Sequence, residues 1–364
     1  MTNDKSLAFM TRRRFGQRVL AGGAATLFMP AIIARASSDS LVVNSQGGEY
    51  QELFERTVLQ PFEQKFGVKV VHDPTGIASQ DYAKIRASGG APGFDVAAVT
   101  TAVELNLGGR EGLWEPITEA DAPNTRHMWA QTKALLPYGV CHSIQYATLL
   151  HLKDKIDAPE SWMDYWNPRA KYGDVIDKRI LTFQPSSLLA LFTMVAGAEA
   201  RGGGMDNMEP AWENLATLKP DVATVQTAIA QAIQFLEREQ AWMMPCWSAR
   251  AFYYQTAGLP IGVTVPKEGT MAFAECAAIP IGAENKTLAK EFINFMLEPE
   301  VQFNYCNAYH ISPGRPDIAG WSDEFKAQQV TTEDKISALR FADMTRIAES
   351  TRDWTLRWQE IMGV

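Results

Sequence analysis

Residues 243–280 read MMPCWSARAFYYQTAGLPIGVTVPKEGTMAFAECAAIP. The apolar, aromatic-rich beginning sets Trp247 and Arg250 beside a predicted helix start. The turn Ala257, Gly258, Leu259, Pro260 precedes a β-branched strand over 261–265, and the turn Pro266, Lys267, Glu268, Gly269 leads into a second strand over 271–280. Side chains alternate across a strand, so Phe273 and Glu275 share one face of it. A carboxylate held beside an aromatic among apolar neighbours suits the wall of a pocket. The stretch reads as a hinge plus a ligand wall.

Toward the N-terminus, 41–44 is a short buried-strand signal broken by Ser45, Gln46, Gly47 and Gly48. Residues 49–66 read as a helix despite Pro61, 68–72 as a strand, 80–87 as a helix and 94–100 as a strand. Strand, helix, strand, helix, strand at this spacing predicts a mostly parallel sheet. Ligands bind such sheets at the carboxyl ends of the strands. Ser45 to Gly48, Thr75 with Gly76, and Thr100 with Thr101 are therefore the places to look. Residues 140–148 read as the first crossing into a second lobe. That lobe has predicted helices at 162–166, 186–198, 208–218 and 222–239, the last with the apolar stripe Val222, Val225, Ile229, Ile233 and Leu236. Residues 179–183 form its strand, and Gln184, Pro185, Ser186 and Ser187 open the next helix with Ser186 as its N-cap. Helices are expected at 286–297 and 299–307, then a loop through Tyr309, then a final helix bearing Trp354, Trp358 and Ile361.

The chain has 364 residues, 46% of them hydrophobic, enough for two ordinary lobes. Its first 36 residues differ in kind: Arg12, Arg13, Arg14 and Phe15 precede an apolar run over 19–33 and an Ala34, Arg35, Ala36 cleavage site. Twin arginines before Phe predict export by the twin-arginine machinery, with cleavage near Ala36 and a periplasmic product. Those 36 residues hold six basic side chains and one acid, so the rest carries 28 Lys+Arg against 41 Asp+Glu, a formal charge of −13. An acidic chain without a basic stripe is a poor nucleic-acid binder. Cys141, Cys246, Cys276 and Cys306 fit no CxxC spacing; four buried thiols are expected, with Cys246–Cys276 the first candidate should a disulfide form. The histidines show no metal-ligand spacing, and no phosphate-binding or nucleophile-elbow motif is present, so no cofactor, metal or catalytic residue is expected.

Several short stretches carry a family resemblance. They are 66–70 (FGVKV), 93–96 (GFDV) before Thr100 and Thr101, 136–139 (LPYG), 161–168 (SWMDYWNP), 266–269 (PKEG), 278–280 (AIP) and 292–295 (FINF). In this order they resemble the extracellular solute-binding proteins of ABC importers, in the group containing the spermidine/putrescine receptors. The resemblance implies a two-lobed periplasmic-binding-protein fold (type II), each lobe a mixed, mostly parallel α/β sheet flanked by helices, with the ligand cleft at the hinge. The lobes are expected at 40–141 plus 275–318 and at 142–274 plus 319–364. The implied function is a monomeric periplasmic receptor that closes on a small solute and delivers it to a membrane permease.

Position by position, this chain departs from the polyamine receptors. Tyr50 stands where they have a tyrosine after the first strand, but Gln46, Gly47 and Gly48 replace the accompanying tryptophan region. Thr100 and Thr101 are kept, whereas Ala102 and Val103 stand where that family has tyrosines. The two carboxylates of the second lobe fall at Gln184 and Ser187, both neutral here. Trp247, Phe273, Glu275 and Tyr309 match two ligand aromatics, the key acid and a pocket tyrosine. A buried ammonium left without a carboxylate is costly, so one surviving acid suits a solute with one cationic end. The glycine turn, Ser187 at a helix start and Arg250 suit an anionic end. An amino-acid-like, zwitterionic or mono-amine solute is the first expectation and a polyamine the alternative. A cysteine-dependent enzyme built on Cys141 and His142 is the remaining rival, though neighbours on a regular strand face opposite ways.

Overall fold

The computed structural model describes residues 40–363. The export signal expected over 1–36 lies outside them. Eleven strands, in chain order, are β1 (Ser40–Asn44), β2 (Lys69–Asp73), β3 (Val96–Thr100), β4 (Val140–Leu152), β5 (Ile180–Phe183), β6 (Val222–Gln226), β7 (Met243–Trp247), β8 (Ile261–Thr264), β9 (Thr270–Ala278), β10 (Ser312–Pro313) and β11 (Leu339–Phe341). They join in one mixed path, β2-β1-β3-β9-β4-β7-β5-β6, with β8 and β10 on β4 and β11 on β9.

Both ends of that path are parallel: β1 pairs with β2 and β3, and β5 with β6 and β7. The middle is antiparallel, because β9 and β4 run against their neighbours and against each other. The α/β class with a mixed sheet expected from the sequence is the one observed, but the sheet is not mostly parallel, because the central strands β4 and β9 pair antiparallel with each other and with β3, β7, β8 and β10.

The buried side chains fall into two clusters, and β4 passes from one to the other. Val140, Cys141, Ile144 and Tyr146 belong to the first, and Ala147, Leu149, Leu150 and Leu152 to the second. The register changes partner at the same point. Residues up to Tyr146 face β9, while Ala147 to His151 face β7. Buried on both faces, such a strand carries an almost continuous apolar run. Hydroxyls fasten the crossing, with Thr270 Oγ1 donating to the Ala147 carbonyl at 2.7 Å and Thr148 Oγ1 to that of Cys246 at 3.0 Å.

Residues 48–66 are helical throughout, as expected, but the helix changes pitch. A 3-10 turn (Gly48–Tyr50) and an α turn (Gln51–Phe54) lead into a π segment (Glu55–Leu59), and α geometry resumes over Gln60–Phe66. Pro61 has no N–H to return to the preceding turn and its ring crowds the carbonyl four residues back. The wider π turn accommodates it.

Three expectations are corrected. Residues 222–239 are not one helix: Val222–Gln226 is the strand β6, paired with β5, and the helix is Ile229–Glu237. The β-branched Val222, Thr224 and Val225 favour the sheet more strongly than their chance agreement with a helical stripe. Ser187, not Ser186, is the N-cap of the helix Leu188–Glu199. Tyr309 ends the helix Pro299–Tyr309 instead of lying in a loop.

Candidate functional site

A cavity of about 560 Å³ is lined from both clusters at the crossing of β4 and β9. Such a volume fits a small organic molecule. Its acidic wall is β9 against β4, where the register sets Ser143 opposite Glu275 and Gln145 opposite Phe273. Residues directly opposite in a sheet share a face. Glu275 is 6% exposed and accepts hydrogen bonds from Gln46 Nε2 at 3.1 Å and Ser143 Oγ at 3.1 Å, both neutral donors. Burial pushes its carboxyl up to about 7, against the smaller opposing pull of Ser143, Gln145 and Arg250.

An aromatic corner adjoins the acid. Trp247, at the end of β7, meets Phe273 edge to face at 5.1 Å, and both lie against Phe192 at 5.5 and 6.2 Å. On the other side Tyr50 stacks on Tyr309 at 4.7 Å, the Tyr309 hydroxyl donating to the Tyr50 carbonyl at 2.8 Å. The Arg250 guanidinium carbon sits 3.8 Å from the centre of the Tyr50 ring, one turn into the helix Ser248–Thr256.

The cavity is also lined by a set of helix beginnings. The helices Ala78–Ala87, Leu188–Glu199, Ile229–Glu237 and Ser248–Thr256 start at Ile77, Ser187, Ala228 and Trp247, and none of the four has a side-chain cap. All four cap residues line the cavity. The first-turn N–H groups and the helix dipole favour an anion there. Thr101 differs. Its hydroxyl and Glu104 form a complete capping box on Ala102–Arg110, which satisfies that end internally.

Of the residues expected from the sequence, Ser45, Gln46, Gly47, Tyr50, Thr101, Ser187, Trp247, Arg250, Phe273, Glu275 and Tyr309 line the cavity. Gly48, Thr100 and Gln184 are not among its lining residues. Gly48 sits in the left-handed region at φ 72°, so its glycine serves the turn. Thr100 Oγ1 is spent on the Cys276 carbonyl at 2.7 Å, and the Gln184 backbone N–H extends the sheet to Gln226 at 3.0 Å. Gly47 is required by space: a Cβ there would lie 2.3 Å from the Pro74 carbonyl oxygen.

Sequence reasoning missed Gln145 and Tyr305 and the segment Thr227 to Ala230, and considered His142 only as a catalytic base. Gln145 was findable, because alternation along a crossing strand puts it on the face of Ser143. Tyr305 is four residues from Tyr309 on one helix, their rings 4.5 Å apart. His142 follows a register irregularity between Cys141 and Ser143, which no local signal announces. That irregularity does not make a nucleophile and base. His142 Nε2 is tied to the Ala98 carbonyl at 2.8 Å, and Cys141 Sγ to the Ser143 carbonyl at 3.4 Å. All four cysteines are buried and unbridged, as the favoured expectation had it, and Cys246–Cys276 is not a disulfide. Among the described residues no cluster suits a metal ion.

The model of the bacterial extracellular solute-binding proteins matches residues 57–332, well over half the chain. The chain belongs to that family. Its role is to bind a solute outside the cytoplasm. A spermidine/putrescine-binding periplasmic protein of Salmonella typhimurium is 28% identical over 298 residues, 79% of this chain and 81% of that protein. A gamma-aminobutyric acid-binding protein of Pseudomonas aeruginosa is 28% identical over 280 residues, 75% of this chain and 76% of that one. Among solved structures, an ABC transporter substrate-binding protein from Bradyrhizobium japonicum superposes with a TM-score of 0.74 at 22% identity, covering 89% of this solute-binding chain and 99% of its own.

Proposed function

We propose that this receptor captures a small zwitterion, an amino-acid-like solute with one amine and one carboxylate, and delivers it to the membrane permease of an ABC importer. The observation that carries the reading is the opposition of charge within one cavity. Glu275 is a buried carboxylate with neutral hydrogen-bond donors, and four helix N-termini without side-chain caps open on the same cavity. A diamine would bring a second ammonium to those positive ends, where its charge is repelled. A carboxylate is welcomed there, and the partly buried Arg250 adds to the same field. Trp247 and Phe273 would hold the carbon chain and flank the ammonium. Relatives named for spermidine/putrescine and for gamma-aminobutyric acid both take amines, which supports the acidic end.

The same reading makes the protein a receptor without catalytic residues or cofactor, a monomer, and a periplasmic protein exported by the twin-arginine machinery and cleaved near Ala36. Lobes near 40–141 plus 275–318 and 142–274 plus 319–364 belong to this reading, and the two core clusters support the division in outline, although Ile144, Tyr146, Ala249, Phe252, Ala272 and Ala274 pack with the first. Trp321, Phe325, Val330 and Ile336 pack with the first cluster, and Met344, Ile347, Trp354 and Trp358 with the second, which draws the last boundary toward residue 342. Calorimetric titration with 4-aminobutyrate, putrescine and spermidine tests the solute class. Binding of 4-aminobutyrate without either polyamine is the expected result. Tight spermidine or putrescine binding with no affinity for amino acids would overturn it.

A further inference from the structure

Ser45, at the carboxyl end of β1, lines the cavity, and behind it stands a chain of two hydrogen bonds that the solute never meets. Ser45 Oγ lies 2.7 Å from His72 Nε2, and His72 Nδ1 lies 2.9 Å from Glu55 Oε1. His72 is on β2 and Glu55 on the π segment of the first helix. The second bond keeps the Glu55 carboxyl below its usual range, the His72 hydrogen bond being the largest contribution. An ionised carboxylate only accepts, so Nδ1 carries a proton. In the neutral ring Nε2 is a lone pair, and the Ser45 hydroxyl donates to it. What Ser45 offers the cavity is oxygen lone pairs.

We infer that Glu55 and His72 are positioning residues that fix the Ser45 hydroxyl as a hydrogen-bond acceptor, so that this wall selects a solute nitrogen bearing N–H groups over a quaternary ammonium of the same charge. The inference rests on the reading of an amine at the Glu275 end, and names which amine. His142 reinforces the polarity. Its Nε2 must donate to the Ala98 carbonyl, so Nδ1 is a lone pair, buried and without a partner among the described residues. Burial holds that ring neutral, its pKa down at about 4. With Glu275, which accepts from Gln46 and Ser143, the wall offers the cavity two acceptors, the Ser45 hydroxyl and the carboxylate. A primary ammonium has three N–H groups to satisfy. A trimethylammonium group has none, and would leave desolvated lone pairs unmet.

Two measurements on the purified protein test this. Long-range nitrogen–proton correlation spectra at pH 8 report the His72 tautomer without any solute. The Nδ1–H form is expected in the wild type and in Glu55→Gln, whose carbonyl still accepts, and its loss is expected in Glu55→Leu. Calorimetry then compares 4-aminobutyrate with 4-(trimethylammonio)butyrate. A preference of about 100-fold or more for the primary amine is expected, retained in Glu55→Gln and cut at least about tenfold in Glu55→Leu. An Nε2–H tautomer in the wild type, or an undiminished preference in Glu55→Leu, overturns the relay. Covalent labelling of Ser45 by a fluorophosphonate overturns it as well, by making that hydroxyl a nucleophile. Binding of neither probe overturns the solute class alone, since the tautomer spectrum decides the relay independently.

Discussion

Glu275 has a cost that can be measured before any solute is found. Its folded pKa, about 7, stands above the ordinary glutamate value, so between roughly pH 4.5 and 7 the folded chain binds more protons than the unfolded one. This group's contribution is therefore fully present at low pH and declines as pH rises through 7. Glu275→Gln removes that burden. The variant should equal the wild type near pH 4.5 and exceed it by about 3 kcal/mol above pH 7, read from chemical denaturation across pH, while losing affinity for an amine. A stability gap that does not change with pH would reject the buried-acid account. The sequence made this residue legible, because Phe273 and Glu275 alternate within an otherwise apolar strand. It left His72 and Glu55 silent, since their bonds join residues 17 and 27 apart through folding alone.

At the scale of elements, most strands and helices were readable and the informative failure was 222–239. Taking that segment as one helix hid the change from strand to helix at Thr227 and Ala228, and with it a helix start on the cavity. Periodicity over a short apolar run cannot separate a strand followed by a helix from one longer helix. The same element supplies a test with two opposite signs. Ala228 is exposed and occupies an N-cap that lacks a side-chain acceptor. Ala228→Asp should stabilise the helix by about 0.5–2 kcal/mol, seen as a raised Tm. It should weaken 4-aminobutyrate by setting a carboxylate where the solute's own carboxylate belongs. A polyamine receptor would respond the other way, binding putrescine more tightly in the variant.

Across the whole molecule, the two cores share β4 and β9, so neither is closed without the other's strands. Equilibrium unfolding followed through Trp114 and Trp129 of the first core and Trp162 and Trp166 of the second should give one coincident transition. Two separated transitions, from single-tryptophan variants in denaturant, would show the cores to be independent. The overall class was legible because strand–helix alternation and the apolar crossing are local patterns. The antiparallel insertion of β9 between β3 and β4 was not, since it depends on pairing between segments far apart.

That pairing sets a timetable for biogenesis. Ser143 and Glu275 meet across 132 residues, and β9 lies between β3 and β4, strands made long before it. A nascent chain that has emerged only as far as residue 264 holds β3 and β4 with their shared edges unmet. Closing so wide a loop is slow, and open edges are sticky while it lasts. The first core is thus a product of finished synthesis, although its opening strand is among the earliest residues to leave the ribosome. Stalled chains ending at 264 should be cut readily within 96–152 by a protease, and chains extended past 278 should resist. A translocase that accepts only folded cargo would have to wait for β9.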